Sequence, residues 1–466
     1  MQDSIFCDFK PPLNSQTAKI EASRCHYCYD APCIQACPTE IDIPSFIRKI
    51  SNGNLRGAAQ DILSANVMGG TCARVCPVEV LCHSACVREV GEGKSVEIGL
   101  LQRFATDQFF EGPPESTQNL FERAPLHGKK VAVVGGGPAG LSASHRLALL
   151  GYAVTLFEAR SKVGGLNEYG LAPYKVTSEG VQQEIDWILG VGGIDLKLNC
   201  ALGTDVSLDS LRTEFDAVFL ALGLGGVKKL GIPGEDQPGV FEASRFIEKI
   251  RQTTRIADLP VGRSAVVIGG GSTAIDIAIE LKCLGAESVT IVYRGSEEKM
   301  SATLHERELA RTAGVVICTS GRPVRILGNA SGVAAVEFER TDRNAGERFE
   351  LVANQVFKAI GQTLAVDAEV LRSIGLKGGR ISVGNPGEIK PFETAIPGIF
   401  AGGDCIGLGE DLTVTAVQHG KLVAYAIHQS LFKEKSGDIN YGRSHLSNRR
   451  GEITQSFLAG FSTANG

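Results

Sequence analysis

The chain is 466 residues long with a formal net charge of −5, and 43% of it is hydrophobic and 21% charged; that length allows about two to four domains, each able to bury a core of its own. The composition is ordinary for a water-soluble protein, and the charge balance carries no electrostatic footprint for nucleic acid. Met1 to Lys10 has no basic stretch followed by an apolar one, and no run of about 18 apolar residues could span a bilayer, which argues against a signal peptide and a membrane helix and predicts a cytoplasmic protein.

Residues 1–111 read as a first, helical unit in which cysteine is concentrated. Nine of the 13 cysteines fall in the first 86 residues. Eight of them form two runs, Cys25-x2-Cys28-x4-Cys33-x3-Cys37-Pro38 and Cys72-x3-Cys76-Pro77-x4-Cys82-x3-Cys86. In a reducing compartment such runs point to metal ligation rather than disulfides. A cubane iron–sulfur cluster takes three corners from close cysteines and the fourth from a distant residue, and in two-cluster ferredoxins the cysteine before proline crosses to the other cluster. The same logic predicts two [4Fe-4S] clusters here, with Cys37 crossing over. Zinc is the competing reading of thiolates in C-x2-C spacing. Between the runs, Ile43, Phe46, Ile47 and Ile50, then Leu55, Ala58, Ala59, Ile62 and Leu63, recur at helical spacing on either side of Ser-Asn-Gly-Asn. This hairpin can fold the two runs side by side, and a further helix is expected from Ile98 to Phe110, carrying Gln102. Cys7, Cys200, Cys283, Cys318 and Cys405 read as ordinary residues.

A linker covers 112–129. Then Val131 to Val134 breaks into Gly135-Gly136-Gly137-Pro138-Ala139-Gly140, a strand entering a glycine turn and a helix. Glycine at Gly135 permits the tight bend, and at Gly137 it lets backbone approach a pyrophosphate at the helix start. A second strand ends at Glu158, 18 residues beyond Gly140, where a carboxylate meets a ribose hydroxyl. Val163-Gly164-Gly165-Leu166 follows, and a buried strand stops at Gly223. This is the first part of an FAD-binding domain, 130–230.

The device recurs about 134 residues later, with a strand from Ser264 into Gly269-Gly270-Gly271-Ser272-Thr273-Ala274, a helix, and the strand Val289 to Tyr293. This is an NAD(P)-binding domain, 231–355. From Val356 to Ile360 a buried strand ends at Gly361 and is read as the chain's return to the first nucleotide domain, whose second part is 356–435. Gly402-Gly403-Asp404 and a helix from Thr413 belong there: the aspartate can accept from the ribityl chain of FAD while the helix dipole faces the flavin. Residues 436–466 read as a weakly ordered tail. The fold class is α/β, with an N-terminal all-α double-cluster domain followed by two Rossmann-like domains, the second inserted in the first.

In the second copy Tyr293 stands where the first has Glu158, and Arg294 follows it. With no carboxylate to bind a free 2′-hydroxyl and a guanidinium able to meet a 2′-phosphate, NADPH is favoured over NADH. A nicotinamide gives up electrons in pairs, clusters accept them singly, and a flavin does both. The hydride step needs no acid or base, so no catalytic side chain is nominated.

The stretches Ser23–Cys33, Ala36–Thr39, Gly57–Ala59, Thr71–Pro77 and Ile98–Phe104 resemble the small, electron-input subunit of bacterial NAD(P)-dependent dihydropyrimidine dehydrogenases, from about Glu21 to Leu431. The resemblance implies one cluster on Cys25, Cys28, Cys33 and Cys86, and the other on Cys37, Cys76, Cys82 and the Gln102 side chain, leaving Cys72 unligated. Spacing alone selects Cys72 as the fourth thiolate. The resemblance further implies FAD contacts from Gly135 to Ala139, Glu158 to Leu166, Lys175, Leu202, and Asp404 to Thr413. NAD(P) contacts implied are Gly271 to Ala274, Arg294, and Ala359, Ile360 and Gly361; the second basic residue for a 2′-phosphate is replaced by Gly295. It implies a hetero-oligomer with a catalytic subunit that carries FMN and iron–sulfur clusters and interconverts uracil or thymine with the 5,6-dihydro compounds. The small subunit of glutamate synthase is a related family, with glutamate usual where Gln102 stands.

Overall fold

The computed structural model describes residues 5–113, 117, 120–329, 332–366, 370, 373–386, 388 and 390–432; the expected tail, 436–466, lies outside them. The chain divides into two compact units. One comprises Pro12–Asn167, Glu179–Leu224 and the described residues from Leu364 on; the other comprises the described residues up to Pro11, Glu168–Ser178 and Gly225–Thr363.

The first unit opens with helices whose starts are written in short polar residues. Asn14 accepts from the amides of Gln16 and Thr17 ahead of Ser15–Ser23, Asp42 from Ser45 ahead of Ile43–Ser51, and Asn54 from Gly57 ahead of Leu55–Ala65. Each satisfies an amide the helix itself cannot pair, worth about 1 kcal/mol. Ile43, Phe46, Ile47 and Ile50 are all buried, with Ala18, Ala22, Ile62, Leu101 and Phe104 in one core. A fully buried side chain of the size of Phe46 contributes about 1.5–3 kcal/mol. The helix Ile98–Phe110 closes this all-α region.

The helix Leu55–Ala65 buries a second side. Ala59 and Leu63 join Phe109, Phe110, Phe121 and Trp187 in a separate apolar cluster. Trp187 belongs to the helix Ser178–Leu189, so the cysteine-bearing region is packed directly onto the flavin-side domain. That domain has a five-stranded parallel sheet in the order Ile399–Ala401, Ala217–Leu220, Lys130–Val134, Ala153–Phe157, Ile194–Lys197. The helices Pro138–Leu149 and Thr413–Phe432 cross closely, because a Cβ at Gly420 would overlap the Ala139 carbonyl.

The second unit has its own five-stranded parallel sheet, in the order Val240–Glu242, Gln355–Ala359, Ser264–Gly269, Ser288–Val292, Val316–Cys318, and an antiparallel sheet of Gly321–Asn329, Gly332–Arg340 and Arg348–Val352. Three boundaries differ from the sequence reading. The strand Gln355–Ala359 lies inside this sheet instead of beginning the return to the flavin domain, which comes after Thr363. A buried apolar strand pairs within whichever sheet covers it, and its run of residues does not say which one that is. This unit also starts at Gly225, ahead of the expected residue 231. Phe6, expected in the helical unit, is buried in the core of this unit with Phe246, Ile275 and Phe357. Among the described residues no helix is long and apolar enough to cross a membrane.

Candidate functional site

The first glycine turn is shaped as a cradle. Gly135 holds φ at +107°, and a Cβ there would overlap the Ala221 carbonyl; one at Gly140 would overlap the Gly135 carbonyl. Gly137 caps the helix Pro138–Leu149 without a side chain, leaving the first amides open to an anion. Gly164 donates its amide to the Gly136 carbonyl at 2.7 Å, and a Cβ at Gly165 would stand 2.7 Å from the Gly137 Cα. The loop Val163 to Leu166 therefore lies over the turn. Glu158, buried at the strand end, accepts from the Gly136 amide at 2.8 Å and the Arg160 amide at 2.9 Å. It is thus held at the turn with lone pairs to spare for a ribose hydroxyl.

Gly403 packs against Ala139, where a Cβ would come within 2.9 Å, and donates to His419 Nδ1 at 3.2 Å. This brings Asp404 to the same turn as Gly135. Burial pushes the Asp404 carboxyl up to about 7, with Asp411 adding to the rise and Arg380 opposing it. Thr413, opening the last helix, donates to Asn167 Oδ1 at 2.9 Å. Leu202 lies in a turn, bridged to Val206. Backbone this close, with no room for side chains, fits a dinucleotide of the FAD type.

The second turn repeats the construction. A Cβ at Gly269 would overlap the Ala359 carbonyl, and one at Gly270 would strike the Tyr293 ring at 2.5 Å. Gly271 caps the helix Ser272–Cys283, which also carries Thr273 and Ala274. Ala359, Ile360 and Gly361 follow the neighbouring strand, and the Gly361 carbonyl accepts from the Lys228 amide at 3.1 Å. Arg294 is exposed, and its carbonyl accepts from Thr341 Oγ1 at 2.6 Å.

Lys175, implied as a flavin contact, belongs to this second unit and is already paired. Its ammonium lies 2.8 Å from Asp276 and 3.2 Å from Glu306. Tyr174 donates to Asp276 at 2.6 Å, and Ser272 to Glu306 at 3.1 Å. Burial alone would lower Lys175; the two carboxylates outweigh it and raise it above the usual lysine range. Asp276, Glu306 and the buried Glu280 were not legible in the sequence, since acids at helical spacing read as a solvated face.

The cysteines fall into two groups. Burial pushes the Cys33 thiol up to about 12, with Cys25, Cys86 and Cys28 as charged neighbours. Burial also raises Cys25, which feels Cys28 and Cys86. In the other group Cys76 is raised by its hydrogen bond to Cys72 and by burial, with Cys37 and Cys82 adding to it, and burial raises Cys82, with Cys37 and then Cys33 adding to the rise. Cys37 thus acts on both Cys76 and Cys82 of the second run. Gln102 is buried, and its amide nitrogen donates to the Gly69 carbonyl at 2.7 Å, on the helix Gly69–Val75 that carries Cys72 and Cys76. Among the described residues no three His, Cys, Asp or Glu side chains close on one point; the thiols are gathered without being drawn into a single mononuclear shell. Thiols gathered in this way ionise together most readily around a positive core, and a cluster supplies one.

Two groups that no motif marked, the buried Glu184 and the half-buried Lys421, join the cysteine region to the flavin domain. Glu184 accepts from the Gly70 amide at 2.8 Å and the Thr71 hydroxyl at 2.6 Å. Lys421 donates to the Thr39 and Ala65 carbonyls, both at 3.0 Å.

Comparison with known proteins follows the same division. A family described as dihydropyrimidine dehydrogenase domain II, 4Fe-4S cluster, matches residues 2–113, and the pyridine nucleotide-disulphide oxidoreductase family matches residues 129–420. The chain is 37% identical over 431 residues to the NAD-dependent dihydropyrimidine dehydrogenase subunit PreT of Salmonella typhimurium, covering 92% of this chain and 98% of that protein. It is 32% identical over 450 residues to the glutamate synthase (NADPH) small chain of Escherichia coli, covering 91% and 93%. Among solved structures, thioredoxin reductase of T. acidophilum matches with a TM-score of 0.52 at 18% identity over 65% of this chain and 99% of that one. FprA of Mycobacterium tuberculosis in complex with NADPH matches with a TM-score of 0.54 at 19% identity, over 66% and 85%. These likenesses show the two-domain nucleotide-binding fold. With both halves matched, the chain belongs to the family of the dihydropyrimidine dehydrogenase subunit PreT, and is an NAD(P)H-dependent flavin and iron–sulfur oxidoreductase.

Proposed function

We propose that this chain is the electron-input subunit of a dihydropyrimidine dehydrogenase, oxidising NAD(P)H and delivering electrons through two [4Fe-4S] clusters to a catalytic subunit with FMN and its own clusters. The observation that carries this reading is the grouping of the thiols. Cys25, Cys28, Cys33 and Cys86 would hold one cluster, and Cys37, Cys76, Cys82 and the Gln102 side chain the other, inside a region packed directly on the flavin-side domain. When bound, the flavin supplies the conversion from electron pairs to single electrons that these groups require.

The chain's own residues bind and orient. Gly135, Gly136, Gly137, Pro138, Ala139 and Gly140 would seat the FAD pyrophosphate, Glu158 its ribose, Gly164, Gly165 and Leu166 its other side, and Gly403, Asp404 and Thr413 the ribityl and flavin end. Gly269, Gly271, Ser272, Thr273 and Ala274, with Ala359, Ile360 and Gly361, would seat the pyridine nucleotide. Arg294 favours a 2′-phosphate, as no carboxylate ends that strand. Lys175 lies with Asp276 and Glu306, so its service is to the second unit, while Leu202 enters only through the family resemblance.

Glutamine at position 102, where glutamate is usual in the glutamate synthase small subunit, favours a pyrimidine-reducing partner over a glutamate synthase large chain. The test is anaerobic purification with each candidate partner, followed by NADPH and NADH oxidation with uracil, and with 2-oxoglutarate plus glutamine. Uracil-dependent oxidation is expected; turnover only with 2-oxoglutarate and glutamine would overturn the assignment.

A further inference from the structure

The helix Leu55–Ala65 ends in carbonyls that have no partner within the helix. Two cations from the flavin-side domain meet them. Lys421, on the helix Thr413–Phe432, donates to the Ala65 carbonyl and to the Thr39 carbonyl, each at 3.0 Å. Arg146, on the helix Pro138–Leu149, donates to the Ser64 carbonyl at 2.9 Å and lies over the Tyr425 ring. Positive charge at a helix carboxyl end is favourable, which explains why both are accepted there.

Lys421 reaches further than Arg146, into the cysteine loop itself. The Thr39 hydroxyl lies 3.4 Å from the Cys37 sulfur. Glu40 holds a left-handed backbone at φ +57°, with its amide bonded to the Cys37 carbonyl at 2.9 Å and its carboxyl in the field of Lys421. The ammonium thus stands between the helix that faces the flavin end and the loop that carries Cys37. Lys421 is half-buried, and its ammonium exchanges part of its water for the two carbonyl bonds. Its field acts where screening is weak, so an electron placed near Cys37 is stabilised by it.

We propose that Lys421 is a positioning residue of the electron path: it clamps the Cys37 loop and the end of Leu55–Ala65 to the helix Thr413–Phe432, and its charge stabilises the reduced form of the cluster that Cys37 ligates. Reduction adds one electron to that cluster, drawn from NAD(P)H by way of the flavin. Burial, with Arg146 adding to it, lowers the Lys421 ammonium to about 8, so it carries its charge at pH 7, and the electron leaves to the partner subunit. Arg146 holds the same helix end from Ser64, farther along the chain from Cys37, and acts mainly on the packing. This inference rests on the cluster assignment proposed above.

The experiment is a potentiometric titration of the full-length, anaerobically purified holoprotein, followed by electron paramagnetic resonance, on the natural chain, Lys421→Met and Lys421→Arg. The expected result is two signals in the natural chain, one of which shifts to lower potential in Lys421→Met while the other stays, with recovery in Lys421→Arg. Unchanged potentials for both clusters in a fully iron-loaded Lys421→Met would overturn the proposal. Should Lys421→Met fail to load iron, Lys421→Gln, which keeps donors for the two carbonyls without the charge, takes its place. Loss of one cluster in both neutral variants, with Lys421→Arg loaded normally, supports the cationic clamp; loss in all three overturns it. Absence of cluster signals from the natural chain would instead sink the cluster assignment, a separate failure.

Discussion

Thr71 donates its hydroxyl to Glu184 at 2.6 Å, and both side chains are 3% exposed. One residue lies on the short helix that bears Cys72 and Cys76, the other on the helix Ser178–Leu189 of the flavin-side domain. The Gly70 amide adds a bond at 2.8 Å. A single carboxylate therefore fastens the first turn of a cysteine-bearing helix, whose amides would otherwise be unpaired.

Burial pushes the Glu184 carboxyl up from 4.5 to about 7, against the opposing pull of Thr71 and Gly70. A carboxyl raised in the folded state binds its proton more tightly there than in the unfolded chain. Its contribution is full below about 4.5 and is lost as pH rises through about 7. Glu184→Gln, neutral throughout, should gain stability relative to the natural chain between pH 5 and pH 8, by up to roughly 3 kcal/mol. Unfolding followed by the fluorescence of Trp187, the only tryptophan and part of the same contact, measures it. Parallel pH curves for the two proteins would contradict the prediction.

Glu158→Ala removes the acceptor that holds both the Gly136 amide and the Arg160 amide. Losing charge-assisted hydrogen bonds of this kind costs about 1.5–3 kcal/mol each. Flavin affinity should fall at least ten-fold with the helices intact, read from released flavin fluorescence and from circular dichroism. A normally yellow, tightly loaded variant would refute the role of this carboxylate.

Cys72 lies on the helix Gly69–Val75, and Gln102, on Ile98–Phe110, donates to the Gly69 carbonyl of that helix. Cys72→Ser is expected to retain the iron content of the natural chain, whereas Gln102→Ala loses one cluster or makes it labile. Iron and sulfide analysis with visible absorption distinguishes them. The reverse result would give the fourth position to Cys72, which also lies beside Cys76.

Arg294 is exposed at the end of the strand Ser288–Val292 and its neighbouring residue, Gly295, offers no second cation. Arg294→Ala should raise KM for NADPH about ten-fold or more while leaving KM for NADH within about two-fold, since only the former carries a 2′-phosphate to pair. Steady-state kinetics with an artificial electron acceptor reports both. Equal effects on the two nucleotides would place the arginine outside the specificity site.

Local chemistry is what the sequence determined by itself. The glycines of both turns and the apolar spacing of Ile43 to Ile50 each act within a few residues, so they are legible without coordinates, and the cysteine runs announce their metal chemistry by spacing alone. Only the tertiary structure decided which sheet takes the strand Gln355–Ala359, that Lys175 is held by Asp276 and Glu306, and that Glu184 and Lys421 join the cysteine region to the flavin-side domain. Those partners lie about a hundred or more residues apart in most cases, and a single buried charge leaves no periodic trace in a sequence. Its role exists only once folding has removed the water from around it and supplied its partner.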